Sequence, residues 1–296
     1  MAASTVRREG KTFDIVNLTL LMILLVLLLY PLFFTVVASL SEPSEVVKGN
    51  VVFWVKGFTL ESYQMAFNES RIWRGYANSL FYTVFGTLFN LCLTIPAAYF
   101  VSKKELPGRQ IINVYFLITM YFSGGLVPQF LLMRALGLLN SWWAIPINGA
   151  VSATNLIIAR SFFVSGIPAE LEEAAEIDGC SVLQSFLRIV LPLSKAMLSV
   201  ILLYYAVARW NNYTTALYYL PMAEEKYPLQ MVLRQLLITM QATVAAESSE
   251  LAAYYADLAN QLKYAVIVIA SVPLLVIYPF IQKYFEKGVM LGSVKG

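Results

Sequence analysis

Apolar residues along the chain gather into long runs, separated by short stretches that hold most of the charge. A helix needs about 20 apolar residues to cross a bilayer. Six runs reach that length, at about 15–39, 77–101, 111–133, 142–165, 194–217 and 263–284. Lipid offers backbone groups no hydrogen-bond partners, so helices are the expected form. The pattern predicts an all-α, polytopic membrane protein with six transmembrane helices over 15–284. An arm of 1–14 precedes them and a tail of 285–296 follows. Arg7, Arg8 and Lys11 stand before the first run. That run far exceeds the roughly 7–15 apolar residues of a secretory signal, so it reads as a retained span.

Two segments outside the spans, 41–76 and 218–262, have helical patterning of their own. Leu60, Tyr63, Gln64, Ala66 and Phe67 fit a short amphipathic helix, and Leu229, Val232, Leu233, Leu236, Leu237 and Met240 recur at helical spacing. This second pattern fits a lid packed on the bundle and a docking surface equally well. Lysine and arginine in short loops set orientation. Arg7, Arg8, Lys11, Lys103, Lys104, Arg109, Lys283, Lys287 and Lys295 fall on one side, while the 134–141 loop has only Arg134. Both termini and the 166–192 loop are therefore expected in the cytoplasm, with 41–76 and 218–262 outside.

Composition agrees: 59% of the residues are hydrophobic and 13% charged, against about a quarter charged in soluble domains. The net charge of +3 includes no basic block that would point to nucleic acid. The chain has no histidine, which removes histidine triads, HExxH zinc sites and imidazole relays. Cys92 and Cys180 form no CxxC pair. A GxxxxGK[ST] phosphate loop is absent, so energy from ATP would have to come from a partner. No carboxylate lies inside a span, which weighs against an ion-coupled carrier, and no nucleophile constellation supports a membrane enzyme. Arg160 and Arg209 fall near span ends and are expected to snorkel to the interface.

The loop between the fourth and fifth spans carries the most local information. Pro168 suits the first turn of a helix, and Glu170, Glu172 and Glu173 suit its positive end. Gly179 can take the left-handed conformation that stops a helix. A second amphipathic helix is expected from Ser181, with Leu183, Phe186, Leu187 and Val190 on one face and Pro192 ending it before the fifth span. Such a helix-turn-helix fits either a rigid contact that takes force from a soluble partner or an interfacial re-entry helix with none.

The order Glu173-Ala174-Ala175, Asp178-Gly179, Ile189-Val190-Leu191-Pro192 resembles the EAA coupling loop of ABC importer permeases. Further stretches resemble the carbohydrate-uptake class, of maltose-permease type: Asn78-Ser79, Ala97-Ala98-Tyr99 and Pro107-Gly108-Arg109. Gly124-Gly125-Leu126-Val127-Pro128, Trp210-Asn211, Tyr227-Pro228-Leu229-Gln230 and the tail from Lys283 are similar to its polysaccharide and aldouronate branch. The resemblance implies a permease that forms, with a second homologous permease, a membrane pathway for an oligosaccharide. ATP and magnesium would bind two partner ATPase subunits, and this chain would hold no cofactor or metal. An extracellular lipid-anchored solute-binding protein would deliver the solute at the bacterial cell membrane. The implied ATPase contacts are Glu172, Glu173, Ala174, Ala175, Asp178, Gly179 and Pro192, with Gly288, Gly292 and Lys295 in the tail. A permease for another solute remains the rival.

A sugar pathway calls for aromatic faces and amides. Tyr204, Tyr205, Trp210 and Asn211 supply both in the fifth span, and ordinary packing would account for them equally well. Trp142 and Trp143 fit the aromatic belt at the membrane interface.

Overall fold

Helix is the only regular element among the described residues. The computed structural model describes residues 11–246, 257–258 and 261–279. In chain order the helices are α1 (Lys11–Ser39), α2 (Pro43–Val47), α3 (Glu61–Asn68), α4 (Ser70–Ser102), α5 (Arg109–Tyr121), α6 (Leu126–Ala135) and α7 (Ala144–Ile147). They continue with α8 (Ala153–Gly166), α9 (Ala169–Ile177), α10 (Val182–Ser185), a π-turn at Phe186–Val190 and α11 (Leu191–Leu193). Then come α12 (Lys195–Trp210), α13 (Thr214–Tyr219), a 3-10 turn at Glu224–Lys226, α14 (Leu229–Ala246) and a last helix, Gln261–Pro279.

Three described helices are long and apolar enough to span a bilayer alone: Phe13–Ser39, Ser70–Ser102 and Gln261–Pro279. They match the first, second and sixth expected spans. The third is not one straight helix, because α5 and α6 meet at 112°. Gly124-Gly125 lies in the break, and Gly125 has φ +80°, a conformation that favours glycine. The fourth expected span is also broken, with Asn148–Ser152 separating α7 from α8. The fifth stops at Trp210, seven residues early by the expected limit, and α13 follows a turn. Beyond Pro279, the expected end of the sixth lies outside the described residues.

Two compact units emerge. One takes in described residues of Met1–Asn68 and Leu237–Ile269. Its polar centre is Gln261, fully buried. The Gln261 amide accepts from Ser62 Oγ at 2.6 Å and donates to the carbonyls of Ser39 and Ser41 at the end of α1. Those carbonyls have no partner further along α1, so the amide supplies one.

The other unit takes in Glu69–Leu236 and described residues of Ala270–Gly296. Glu69 caps α4, and the Arg71 guanidinium beside it holds its carboxyl below the usual carboxylate range. Helix α4 packs on α8 and α12 around Ile95, Ala98, Tyr99, Leu156, Ala159, Phe163 and Ile201. Small residues let backbones approach closely, as membrane helix contacts require. A β-carbon added at Gly75 would lie 3.0 Å from Leu229 Cα. Asn78 Nδ2 donates to the carbonyls of Glu225 (2.8 Å) and Tyr227 (2.9 Å), and Ser79 Oγ accepts from Leu229 N at 2.8 Å. The Asn78-Ser79 and Tyr227–Gln230 motifs are thus two halves of one contact.

Arg209 does not snorkel. It is 5% exposed and reaches across the unit. Nη1 donates to the carbonyls of Ile145 and Asn148, and Nη2 to those of Pro146 (3.0 Å) and Gly149 (3.2 Å) and to Asn90 Oδ1 (3.0 Å). The break after α7 leaves carbonyls without helical partners, and a five-donor guanidinium fits that need. Gly86 makes room, since a β-carbon there would sit 3.2 Å from Arg209 Nε.

Arg209→Met should lower unfolding stability by about 3–5 kcal/mol, because it strands several buried carbonyls at once. Thermal unfolding in detergent reads this, and a shift indistinguishable from zero would refute the role. Gly75→Val should destabilise by about 1–3 kcal/mol through overpacking against the Leu229 backbone, whereas Gly124→Ala, with only Pro128 Cβ at 3.9 Å, should not.

Candidate functional site

Between Gly166 and Lys195 the chain builds a helix-turn-helix arm whose geometry is set locally. Pro168 is the N-cap of α9, one residue before the first turn where the sequence placed it. Glu170 and Glu172 lie in that first turn. At the other end Asp178 is the C-cap and Gly179 has φ +77°. Gly179 N donates to Glu176 O at 3.0 Å, and Cys180 N donates to Ala175 O at 2.9 Å. These two bonds are the paired closure of a Schellman motif. No atom lies within 4 Å of a β-carbon built at Gly179, so only the backbone conformation demands glycine there.

Two residues later the next helix begins with a full capping box. Ser181 Oγ accepts from Gln184 N (3.3 Å) and Gln184 Oε1 accepts from Ser181 N (3.0 Å). The turn between α9 and α10 is therefore pinned from both sides.

Pro192 does not end the second helix. The chain widens into the π-turn at 186–190, where Leu191 N bonds Phe186 O five residues back. It continues through Pro192 to Leu193 and breaks at Ser194, with an 82° bend into α12. The wider turn takes Pro192 into a first-turn position of α11, where a missing N–H leaves nothing unsatisfied. Ser194 Oγ then donates to Val190 O at 2.7 Å and closes the bend.

The apolar face expected of this helix is split. Phe186 and Val190 are buried in the core, while Leu183 and Leu187 point outward. The outward pair continues a surface made by Ile177, 87% exposed, and Val182, 73% exposed. Glu173, Ala174, Asp178 and Gly179 are also exposed, whereas Ala175 is buried and Glu172 half-buried. Glu172 pairs with Lys103, just past the end of α4. The Lys103 ammonium lies 4.3 Å from the Tyr99 ring centre, and Tyr99 packs against Phe186 at 4.7 Å and Phe163 at 5.6 Å. Salt bridge, cation–π contact and ring packing join both halves of the arm to α4.

The four aromatic and amide residues of α12 do not form one group. Tyr205 is buried, its hydroxyl 2.6 Å from Thr94 Oγ1 and accepting from Ser152 N at 3.0 Å. Trp210 is buried and donates from Nε1 to Ala270 O at 3.0 Å. Tyr204 is exposed, and so is Asn211, whose Nδ2 donates to Val207 O. Trp142 and Trp143 both keep partial exposure, Trp142 against Phe81 and Tyr82. Gly288, Gly292 and Lys295 lie outside the described residues. Among the described residues, no group of three His, Cys, Asp or Glu is placed to hold a metal ion.

Sequence reasoning overlooked a cleft of about 620 Å³ at the α5–α6 break, bordered by Gln129, Asn148, Thr214 and Tyr218. Gly124-Gly125 beside a mid-span Gln129 was its available signal, since paired glycines inside an apolar run mark a break.

Known proteins agree with this architecture. The family described as binding-protein-dependent transport system inner membrane component matches residues 72–291. The polygalacturonan/rhamnogalacturonan transport system permease protein YtcP of Bacillus subtilis is 40% identical over 97% of this chain and 100% of its own length. Protein LplC of the same organism is 38% identical over 98% and 97%. A chain in the crystal structure of a bacterial ABC transporter involved in the import of the acidic polysaccharide alginate superposes with a TM-score of 0.81. It has 34% identity and covers 94% of this chain and 98% of that one. With most of its length matched in sequence and in fold, the chain belongs to the family of binding-protein-dependent transport system inner membrane components.

Proposed function

We propose that this chain is the permease subunit of an ABC importer for an oligosaccharide, and that the arm from Pro168 to Leu193 is where it takes force from an ATPase. The outward apolar surface of Ile177, Val182, Leu183 and Leu187 carries this reading. It is exposed, flanks a turn fixed by the Schellman motif and capping box, and is tied back to α4 and the core. An isolated re-entry helix would need no such ties. A rigid body bearing an exposed apolar surface suits docking on a soluble partner.

Membership of the family supports a reading of the rest of the assembly. Six spans cross the cell membrane with both termini in the cytoplasm. A second homologous permease completes the pathway, and two ATPase subunits, which bind ATP and magnesium, dock beneath the arms. Glu173, Ala174, Asp178 and Gly179 meet the ATPase, while Glu172 and Pro192 shape the arm. Gly288, Gly292 and Lys295 in the tail are further contacts. A lipid-anchored binding protein delivers the sugar from outside. ATP binding draws the ATPases together, the arms follow, and the spans turn from inward-open to outward-open. Hydrolysis resets them. The names of the relatives, with polygalacturonan, rhamnogalacturonan and alginate among their solutes, support the sugar class. Tyr204 and Asn211, exposed on α12, remain open to the pathway; Tyr205 and Trp210 act there by holding α12 in place.

Gly179→Asp or Glu173→Lys should uncouple the transporter. Uptake falls by about tenfold or more, equivalent to about 1.4 kcal/mol of coupling energy, while membrane abundance stays normal. Normal uptake at normal abundance would sink the coupling role. Lys103→Glu and Glu172→Lys should each weaken binding-protein-stimulated ATPase activity, and the double reversal should restore most of it. A double variant as poor as the worse single one would show that the pair transmits nothing.

A further inference from the structure

The cleft at the α5–α6 break sets polar groups among the apolar side chains of Leu126, Pro128 and Leu132. Its walls bear amides, hydroxyls and tyrosines, and its lining includes no acidic side chain. Gln129 Nε2 donates to Asn148 Oδ1 at 2.5 Å, and Asn148 Nδ2 donates to Thr215 Oγ1 at 3.1 Å, so the amides are held in one orientation. Asn212 Nδ2 also donates to Thr215 Oγ1, at 2.9 Å, and fixes the far end of the row. Gln129 Oε1 and the hydroxyls of Thr214 and Tyr218 have no hydrogen-bond partner among the described residues, and all three side chains are exposed. They present acceptors and donors toward the open space, beside a tyrosine ring. Pre-oriented amides, free hydroxyls and an aromatic face are what a pyranose ring needs.

Directly behind this wall stands a cation. Arg209 donates to the Asn148 carbonyl, and the Asn148 side chain faces the cleft. Among the described residues, the hydrogen-bond partners of Arg209 are neutral: four carbonyls and the Asn90 amide. Its full charge is therefore solvated by dipoles and not cancelled by a carboxylate. In a low-dielectric surrounding an uncancelled charge acts over several ångströms.

We propose that this cleft is a subsite of the chain for one uronate unit of a passing oligosaccharide. Gln129, Thr214 and Tyr218 hold the ring hydroxyls, and the field of Arg209 favours the carboxylate. The proposal rests on the sugar-importer reading above and adds to it a location and a charge preference.

The test uses the complete transporter, with its binding protein, in proteoliposomes. The probes are trigalacturonate and its methyl ester, which differ only in charge and the ester methyl groups. Thr214→Glu puts a negative charge in the cleft at the first turn of α13, where a carboxylate suits the helix. It should raise the KM for the acid by about tenfold more than it raises that for the ester. Thr214→Gln, which removes the hydroxyl but adds no charge, should weaken uptake of both probes alike, by about threefold. Gln129→Glu, nearly isosteric and exposed, is a second route to the same result should Thr214→Glu assemble poorly. Gln129→Ala should weaken uptake of both probes by about threefold, the loss of one hydrogen bond. Wild-type uptake that neither Glu variant alters overturns the subsite alone. Equal losses of acid and ester in Thr214→Glu overturn the charge preference. No uptake of either probe by the wild type, and no ATPase stimulation, would instead fail the sugar-importer reading.

Discussion

Inside a bilayer every backbone amide and carbonyl must find a partner within the protein, and this constraint orders the whole chain. Straight helices meet it by themselves. This chain breaks its helices at 122–125, at 148–152 and at 194, and each break leaves groups to be satisfied from elsewhere. Arg209 answers for 145–149 and Gln261 for the end of α1, while Ser194 Oγ adds a second bond to the Val190 carbonyl. A buried charged group is costly unless its hydrogen bonds are met. Arg209 has five such bonds, and with Gly86 beside it no hydrocarbon stands in the way.

The same logic makes the arm rigid. Its turn uses two short-range closures, a Schellman motif before and a capping box after, so its shape does not depend on distant residues. Its attachment does. Glu172 reaches Lys103, and Phe186 reaches Tyr99, both near the end of α4. Local closure fixes the shape of the arm and tertiary contact fixes where it is attached. This division suits a part that must move as one piece while remaining joined to a span.

That difference also explains what could be read in the sequence. Runs of apolar residues located the first, second and sixth spans, because hydropathy is a property of each segment alone. Gly179 and Ser181 marked the turn, because caps act within a few residues. Arg209 was misplaced because its partners lie about 60 and 120 positions away, and nothing near it in sequence reveals them. Pro192 was misjudged for a similar reason: a proline normally stops a helix, but a π-turn upstream shifts it to a position where its missing N–H is harmless. Tyr205 and Trp210 carry the composition of a sugar pathway, yet their hydroxyl and indole groups are taken up by Ser152, Thr94 and Ala270.

The two broken spans resolve the backbone problem in opposite ways, and the contrast has a functional meaning. Irregular backbone at membrane depth is tolerated only when buried in protein or when lining a cavity. The 148–152 break follows the first course: Arg209 and Asn90 cover its carbonyls. The 122–125 break follows the second: Ser123, Gly124 and Gly125 border the cleft. A glycine at φ +80° with open space around its β-carbon position contributes no packing. Its value must therefore lie in the bend itself, which turns α6 away and opens the polar wall of Gln129, Asn148 and Thr214. A bilayer protein gains nothing in stability from such an opening. A pathway for a hydrophilic solute requires one.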